Sequence, residues 1–421
     1  MKAKTAILLG AGARGARAYA PYALKNPHEL NMVAVAEPNK DRREQFQQDH
    51  SLRDERTFAS WEDVLALGKI ADIAIICTQD RAHFQPTMQA LELGYDVLLE
   101  KPMSPDPLEC IEMKQAAEKH GRVLTICHVL RYTPFWMTIR DEIAKGTIGD
   151  VASIQLNENV EVMHMSHSFV RGNWKNKEAS SPMILQKSCH DMDVISYIID
   201  KKCERISSYG SLMHFKEANK PTGAPKRCLD GCPVAQECPF HAGRFYLDKG
   251  RHWAKHFTSD DSNEGIVKAL QETDYGKCVY QSDNNVVDHQ VVNMEFSGGA
   301  TATFSMCGFT RDQTRDIQVM GTKGEIRGNM EANQISIYDF LTQNETIINL
   351  DASPSGHGGG DDGIIRSFLH ELKQDEKPNS RSSAAASLQS HLMAFAAETS
   401  RLEAGRSIDL DDYYAQLSDQ A

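Results

Sequence analysis

The sequence predicts an α/β protein in two parts. A doubly wound parallel sheet is expected over residues 1–127, and a second α/β domain with a large open, mostly antiparallel sheet over residues 128–421. Three observations carry this. A glycine triplet, Gly10-Ala-Gly12-Ala-Arg14-Gly15, stands between an apolar strand and a helix-compatible run. Strand and helix patterns then alternate as far as Cys127. From Asp150 onward the chain turns to hairpin-spaced strands. At 421 residues the chain is long for a single core, so two domains are expected on size alone.

Composition narrows the classes of function. The chain is 41% hydrophobic and 25% charged, as in ordinary globular enzymes, and its formal charge is −12. A nucleic-acid binder needs a basic face, which this balance argues against. No apolar run approaches the ~18 residues that span a bilayer. The short run Ala6-Ile-Leu-Leu9 leads straight into glycines, so it reads as a strand and not as a signal-peptide core. A cytoplasmic location is expected. Most of the ten cysteines are scattered singly in apolar stretches, which suits a reducing compartment.

The first strand is Thr5–Leu9. The triplet after it has the setting of a dinucleotide-binding turn. Gly10 permits the tight turn, Gly12 lets the backbone approach a pyrophosphate, and Gly15 allows close helix–strand packing. The helix start favours phosphate charge. The second strand, Met32–Ala36, ends in Glu37, 22 residues past Gly15. That is near the ~20-residue spacing at which a carboxylate meets the ribose 2′-hydroxyl. Such a carboxylate repels a 2′-phosphate, so NAD is expected ahead of NADP. Ser60 and Asp63 have the spacing of a capping box. Ile70–Cys77 is almost wholly apolar, as a strand buried on both faces should be. Helix Arg81–Leu93 leads to the strand that ends in Glu100-Lys101-Pro102, and helix Pro107–His120 leads to strand Val123–Cys127. Ligands bind where such strands end. Ala13, Arg14, Thr78, Gln79, His83, Glu100 and Lys101 are therefore expected to line the cofactor with the glycines and Glu37. Lys101 should project into the same crevice.

In the second half, strands are expected at Val151–Asn157, Arg205–Ser211, Val286–Phe296, Ala300–Cys307, Asp316–Met320, Glu325–Arg327 and Gln334–Tyr338. Gly356–Asp361 reads as a flexible loop. Two amphipathic helices follow, Ile364–Gln374 and Ser382–Glu403, and an acidic tail should pack back on the first domain. The stretch 213–280 is an irregular insertion. Its Cys228-x3-Cys232-x5-Cys238-x2-His241 has the ligand types of a structural zinc site. Free cysteines or one disulfide are the other readings. In Gln186-Lys187-Ser188-Cys189-His190-Asp191, Ser188 and Asp191 have capping-box spacing and place His190 in the first turn of a helix. The helix dipole there disfavours imidazolium. A neutral imidazole beside a pocket suits a general base for an alcohol proton. Lys187 hints at an anionic group on the substrate, although a salt bridge to Glu100 or Asp191 would explain it as well.

Together, the glycine loop, Glu100-Lys101-Pro102, His190-Asp191-Met192-Asp193 and Gly321-Thr-Lys-Gly324 resemble the Gfo/Idh/MocA family of sugar and cyclitol oxidoreductases along nearly the whole chain. The resemblance implies an NAD(P)-binding Rossmann domain and an open sheet that builds homodimers or homotetramers. It implies Lys101 as the active-site lysine and His190 as the family's histidine. Many members carry an Asp four residues before that histidine; here Gln186 stands there. The function expected is hydride transfer between a sugar or cyclitol hydroxyl and NAD. His190 would take the proton and Lys101 would steady the alkoxide. His128, Arg131, Tyr132, Lys187 and His357 are candidate substrate contacts. An NAD-dependent glycosidase, oxidising the sugar only transiently, is the alternative; a non-catalytic NAD-binding redox sensor is the third reading.

Overall fold

A computed structural model describes residues 3–351, 357–374 and 381–419. Gly356 of the expected loop, and the last two residues of the tail, lie outside them. The first domain is a six-stranded parallel sheet in the order β3-β2-β1-β4-β5-β6. Its strands are β1 Lys4–Leu9, β2 Leu30–Ala36, β3 Thr57–Phe58, β4 Ile73–Ile76, β5 Asp96–Leu99 and β6 Leu124–Ile126. β4 is Ile-Ala-Ile-Ile and buried throughout, since helices cover both faces of a parallel sheet. The order reverses between β1 and β4, which opens the crevice beyond their C-terminal ends. The Ser60 cap is formed, with Ser60 Oγ accepting from Asp63 N–H at 3.2 Å.

The second sheet has nine strands in the order β14-β13-β12-β11-β7-β10-β9-β8-β15. These are β7 Val151–Asn159, β8 Cys203–Ser211, β9 His289–Phe296, β10 Thr301–Cys307, β11 Thr314–Gly321, β12 Gly324–Asn329, β13 Gln334–Asp339, β14 Glu345–Asn349 and β15 Ile408–Asp409. All neighbours are antiparallel except β7 and β10, so the sheet is mixed. β14 and β15 carry too short an alternation to be read in advance. Along β9 and β10 buried and accessible residues alternate, as on a sheet covered on one face.

Two late helices tie the halves together. Gly360–Glu371 packs Ile364, Ile365, Phe368 and Leu369 into the cluster that holds Ala6 and Leu8 of β1. Ala384–Leu402 packs on β8, on the His190 helix and on helix Pro107–Lys119. The tail forms β15 and helix Leu410–Ser418, which touches β8 and Pro107–Lys119. The insertion is less irregular than its composition suggests. It holds helices Ala242–Tyr246 and Asn263–Glu272 around a small core of Cys228, Tyr246, Ile266 and Leu270. Among the described residues no helix is long and apolar enough to cross a membrane.

Candidate active site

The cofactor cradle follows from backbone geometry. Gly10 sits at φ +93°, and a Cβ there would lie 2.4 Å from Cys77 O, so a side chain is excluded on both counts. A Cβ on Gly12 would meet nothing within 4 Å, which leaves its backbone open to an incoming pyrophosphate. The chain after it winds wider than expected. Ala13–Tyr19 is a π-type turn, with Ala20 N–H donating to Gly15 O at 3.0 Å, and α-helix resumes only at Pro21–Lys25. Glu37 is buried under this loop. Its Oε2 accepts from Ala11 N–H (2.7 Å) and its Oε1 from Asn39 N–H (3.0 Å). The carboxylate thus braces the glycine turn while standing at the end of β2. The fold and this open cradle fit a dinucleotide.

Arg14 and Glu100 are placed differently from simple cofactor contacts. Arg14 Nε lies 2.5 Å from Glu100 Oε1, and its Nη2 donates to Asp361 Oδ1 (2.7 Å) and Tyr19 Oη (2.6 Å). Burial opposes ionisation of Glu100, but the charges of Arg14 and Lys101 outweigh it and hold the carboxyl below its usual range. For Asp361, burial is likewise overridden, chiefly by hydrogen bonds from His357 and Arg14, and the carboxyl falls to about 2. This cluster joins the glycine loop, the end of β5 and the helix starting at Gly360. Sequence reasoning missed Asp361, because nothing local marks a partner 347 residues away, and it missed Tyr19, which reads as an ordinary core residue of the first helix.

Lys101 follows β5 and precedes a cis proline, Pro102. Its Nζ donates to the backbone carbonyl of Gln186 at 2.9 Å, reaching into the second domain. Two histidines hold the turn. His83 is fully buried between Pro102 O (Nδ1, 2.7 Å) and Thr78 O (Nε2, 3.2 Å). It clasps the two loops from beneath, so its predicted place against the cofactor is corrected. His391, on helix Ala384–Leu402, accepts from Met103 N–H at Nε2 (2.9 Å) while its Nδ1 stands 2.8 Å from Ser387 O. Accepting at Nε2 requires a neutral ring with its proton on Nδ1. His391 escaped the sequence analysis because a histidine on an apolar helix face carries no motif.

His190 lies in the first turn of helix Cys189–Ile199 and is buried. Its Nδ1 has no hydrogen-bond partner. Burial first, then the charge of Lys101, and after these His357, His128 and Arg315, push its pKa well below the ordinary value. Lys101 is therefore the foremost charge acting on His190, although burial weighs more, and the imidazolium form is disfavoured. The expected capping box is not formed. Ser188 has near-helical backbone angles, φ −96° and ψ 7°, because helix Met183–Gln186 runs almost directly into the next one, and its hydroxyl makes no cap. Asp191 turns away to Arg315 Nε (2.7 Å), which also holds Glu158 Oε2 through Nη2 (2.6 Å). Lys187 completes this buried cluster on Glu158 Oε1 at 3.0 Å, and not on Glu100 or Asp191.

The other candidates divide. His357 is part-exposed, with ring centroids 6.0 Å from His190, so it lies beside the base. Thr78 and Gln79 remain accessible at the crevice, although Thr78 Oγ1 donates to Ala82 O. Arg131 is corrected. It is buried, with Nε and Nη2 on the two oxygens of Asp193 (2.7 Å each) and Nη1 on Arg381 O, so it serves as an internal strut. His128 is fully buried, its ring 5.4 Å from His391 and 6.1 Å from His190, and Tyr132 packs in the cluster beneath β1. Neither is a surface for substrate. Gln186 is engaged throughout, its Nε2 on Trp174 O (2.9 Å) and its Oε1 on Ser180 Oγ (3.0 Å). Of the four expected zinc ligands, His241 is ruled out. Its Nε2 faces Cys228 O at 2.9 Å and its Nδ1 accepts from Arg244 N–H, so neither nitrogen is free.

Comparison with known proteins agrees with this architecture. The family described as "Oxidoreductase family, NAD-binding Rossmann fold" matches residues 4–128, and its "C-terminal alpha/beta domain" matches residues 140–354. A putative oxidoreductase of Bacillus subtilis (strain 168), YteT, is 25% identical over 318 residues, 72% of each chain. The D-glucoside 3-dehydrogenase of Escherichia coli (strain K12) is 28% identical over 147 residues, 34% of this chain and 40% of that one. Among solved structures, an oxidoreductase from Agrobacterium radiobacter in complex with NAD+, L-tartaric acid and magnesium superposes with a TM-score of 0.70. It covers 97% of this chain and 99% of its own at 13% identity, a likeness of fold.

Proposed function

Because the chain belongs to the Gfo/Idh/MocA oxidoreductase family, we propose that it transfers a hydride between a sugar or cyclitol hydroxyl and NAD. The observation that carries this is the bond from Lys101 Nζ to Gln186 O, which brings the end of β5 to the second domain just before the helix that carries His190, a buried imidazole whose pKa is pushed down by burial and then by the charge of Lys101. NAD, when bound, supplies the hydride acceptor. The residues of this chain do the rest. His190 takes the hydroxyl proton as the hydride leaves. Lys101 donates to the same oxygen and stabilises the negative charge that develops on it. Burial excludes water from His190, while Lys101 is half-buried. Thr78, Gln79 and the glycine loop face the nucleotide, and His357 is placed to touch substrate.

Two outcomes test this in parts. Glu37→Ala should relax the choice of nucleotide: NADP should gain on the order of tenfold or more relative to NAD, since the carboxylate meant to repel a 2′-phosphate is gone. Ratios of kcat/KM for the two nucleotides check it. The depressed His190 pKa means the base stays neutral well below pH 6.5. The acid limb of kcat/KM should therefore fall below that value, and a loss of rate centred on pH 6.5–7 would count against His190 as the base. Incubation with NAD and a panel of monosaccharides, cyclitols and aryl glycosides separates net oxidation from the redox-neutral glycosidase. The first accumulates NADH, while the second releases aglycone without it.

A further inference from the structure

The chemistry above does not use the insertion, which with its flank holds the densest group of thiols in the chain. Cys228, Cys232, Cys238 and Cys278, all free, line one cavity of about 10 Å³. That is room for roughly one water-sized sphere. Cys278 comes from a separate segment, 40 residues beyond Cys238. Cys228 N–H donates to Gly276 O (2.9 Å) and Cys278 N–H to Lys226 O (2.8 Å), an antiparallel bridge that sets the two cysteines side by side.

An independent observation is Arg171. It is one of the largest fully buried side chains in the protein. Its Nε donates to Lys277 O (2.8 Å) and its Nη2 to Phe240 O (2.7 Å), with Cys228 Sγ at 3.7 Å, and its Nη1 has no hydrogen-bond partner. Its acceptors are carbonyls and sulfur, and no carboxylate pairs with it among the described residues. A buried cation without a counter-charge is costly. The sulfurs beside it are the groups that can supply one.

We propose that Cys228, Cys232, Cys238 and Cys278 bind one soft divalent metal ion, zinc foremost, as four thiolates, with Arg171 offsetting part of the centre's negative charge. Each ligating thiol gives its proton to solvent, and no oxidation state changes. As the chain stands, no three such side chains among the described residues form a ready-made cage. A dication would draw the sulfurs in as it deprotonates the thiols that ligate it. The metal would fasten the loop 228–241 to the segment 276–280 and thereby the small core of the insertion.

Elemental analysis of the full-length protein, purified without chelators, is the test. About one zinc per chain is expected, released as a mercurial titrates the thiols, and a cobalt-exchanged sample should show the intense visible bands of a tetrahedral thiolate site. Cys278→Ser should lose most of the metal. His241→Gln, and Cys203→Ser on β8, should keep it. Wild-type protein holding less than about a tenth of an equivalent after growth in zinc overturns the proposal. So does full loading of Cys278→Ser, iron accompanied by acid-labile sulfide, or a mass decrease showing a disulfide among the four. If Cys278→Ser does not fold, the wild-type stoichiometry and the cobalt spectrum decide alone.

Discussion

Lys101→Ala is expected to lower the single-turnover rate of hydride transfer on the order of 10³-fold, about 4 kcal/mol of transition-state stabilisation, while leaving NAD binding within a few-fold. The ammonium does two things that methyl cannot. It donates to the oxygen on which charge grows, and its charge adds to burial in disfavouring the imidazolium form of His190. His190→Ala should cost on the order of 10²- to 10⁴-fold, the usual range for a positioned base. Because both act on one oxygen, the double variant should fall little below the worse single one. Stopped-flow fluorescence of NADH with each variant, alongside nucleotide titration, checks this. Near wild-type rates in both would remove the assignment.

Acid should unfold this protein steeply through a window set by histidine. His128, His190 and His391 are buried together beside the Lys101 turn, and His167 is buried beside part-buried His164. Burial, the largest cause in each case, pushes His391 and His164 down to about 3 and His167 to about 2, and His128 and His190 well below the ordinary value. The unfolded chain takes up these protons near pH 6.5, and the folded chain does not. Below 6.5 the unfolded state therefore binds more protons and stability drops as pH falls. Each such group removes up to about 1.4 kcal/mol per pH unit until its folded pKa is reached. The Tm should be nearly flat from pH 8 to 7 and fall sharply between about 6 and 4.5, above the range where Asp361 begins to contribute. His391→Gln, which can still donate and accept, should flatten that slope by roughly one proton's worth. An unchanged slope would mean His391 is protonated in the folded state, with its bond to Met103 N–H broken.

Much of the frame was legible because its causes are local. The triplet at Gly10, the apolar β4 and the strand before Lys101 each carry their reason in neighbouring residues. So does the alternation along β9 and β10. What escaped reading is long-range. Nothing near Arg14 marks Asp361 as its partner, and nothing near His190 shows Arg315 drawing Asp191 away from the cap. Arg131 and His128 looked like pocket residues because charge and aromaticity are visible in sequence and burial against Asp193 is not. His241 matched a ligand pattern but spends both nitrogens on backbone. The sequence spacing also hid Cys278, which a two-residue bridge brings beside Cys228.

The most direct measurement follows the hydride itself. A polyol or sugar carrying deuterium at the reacting carbon, incubated with NAD and the protein in ordinary water, should yield nicotinamide deuterated at C4 without wash-out, and neither Lys101→Ala nor His190→Ala should do so at a comparable rate. Nucleotide that binds yet never acquires deuterium, across monosaccharides, cyclitols and glycosides alike, would contradict the account.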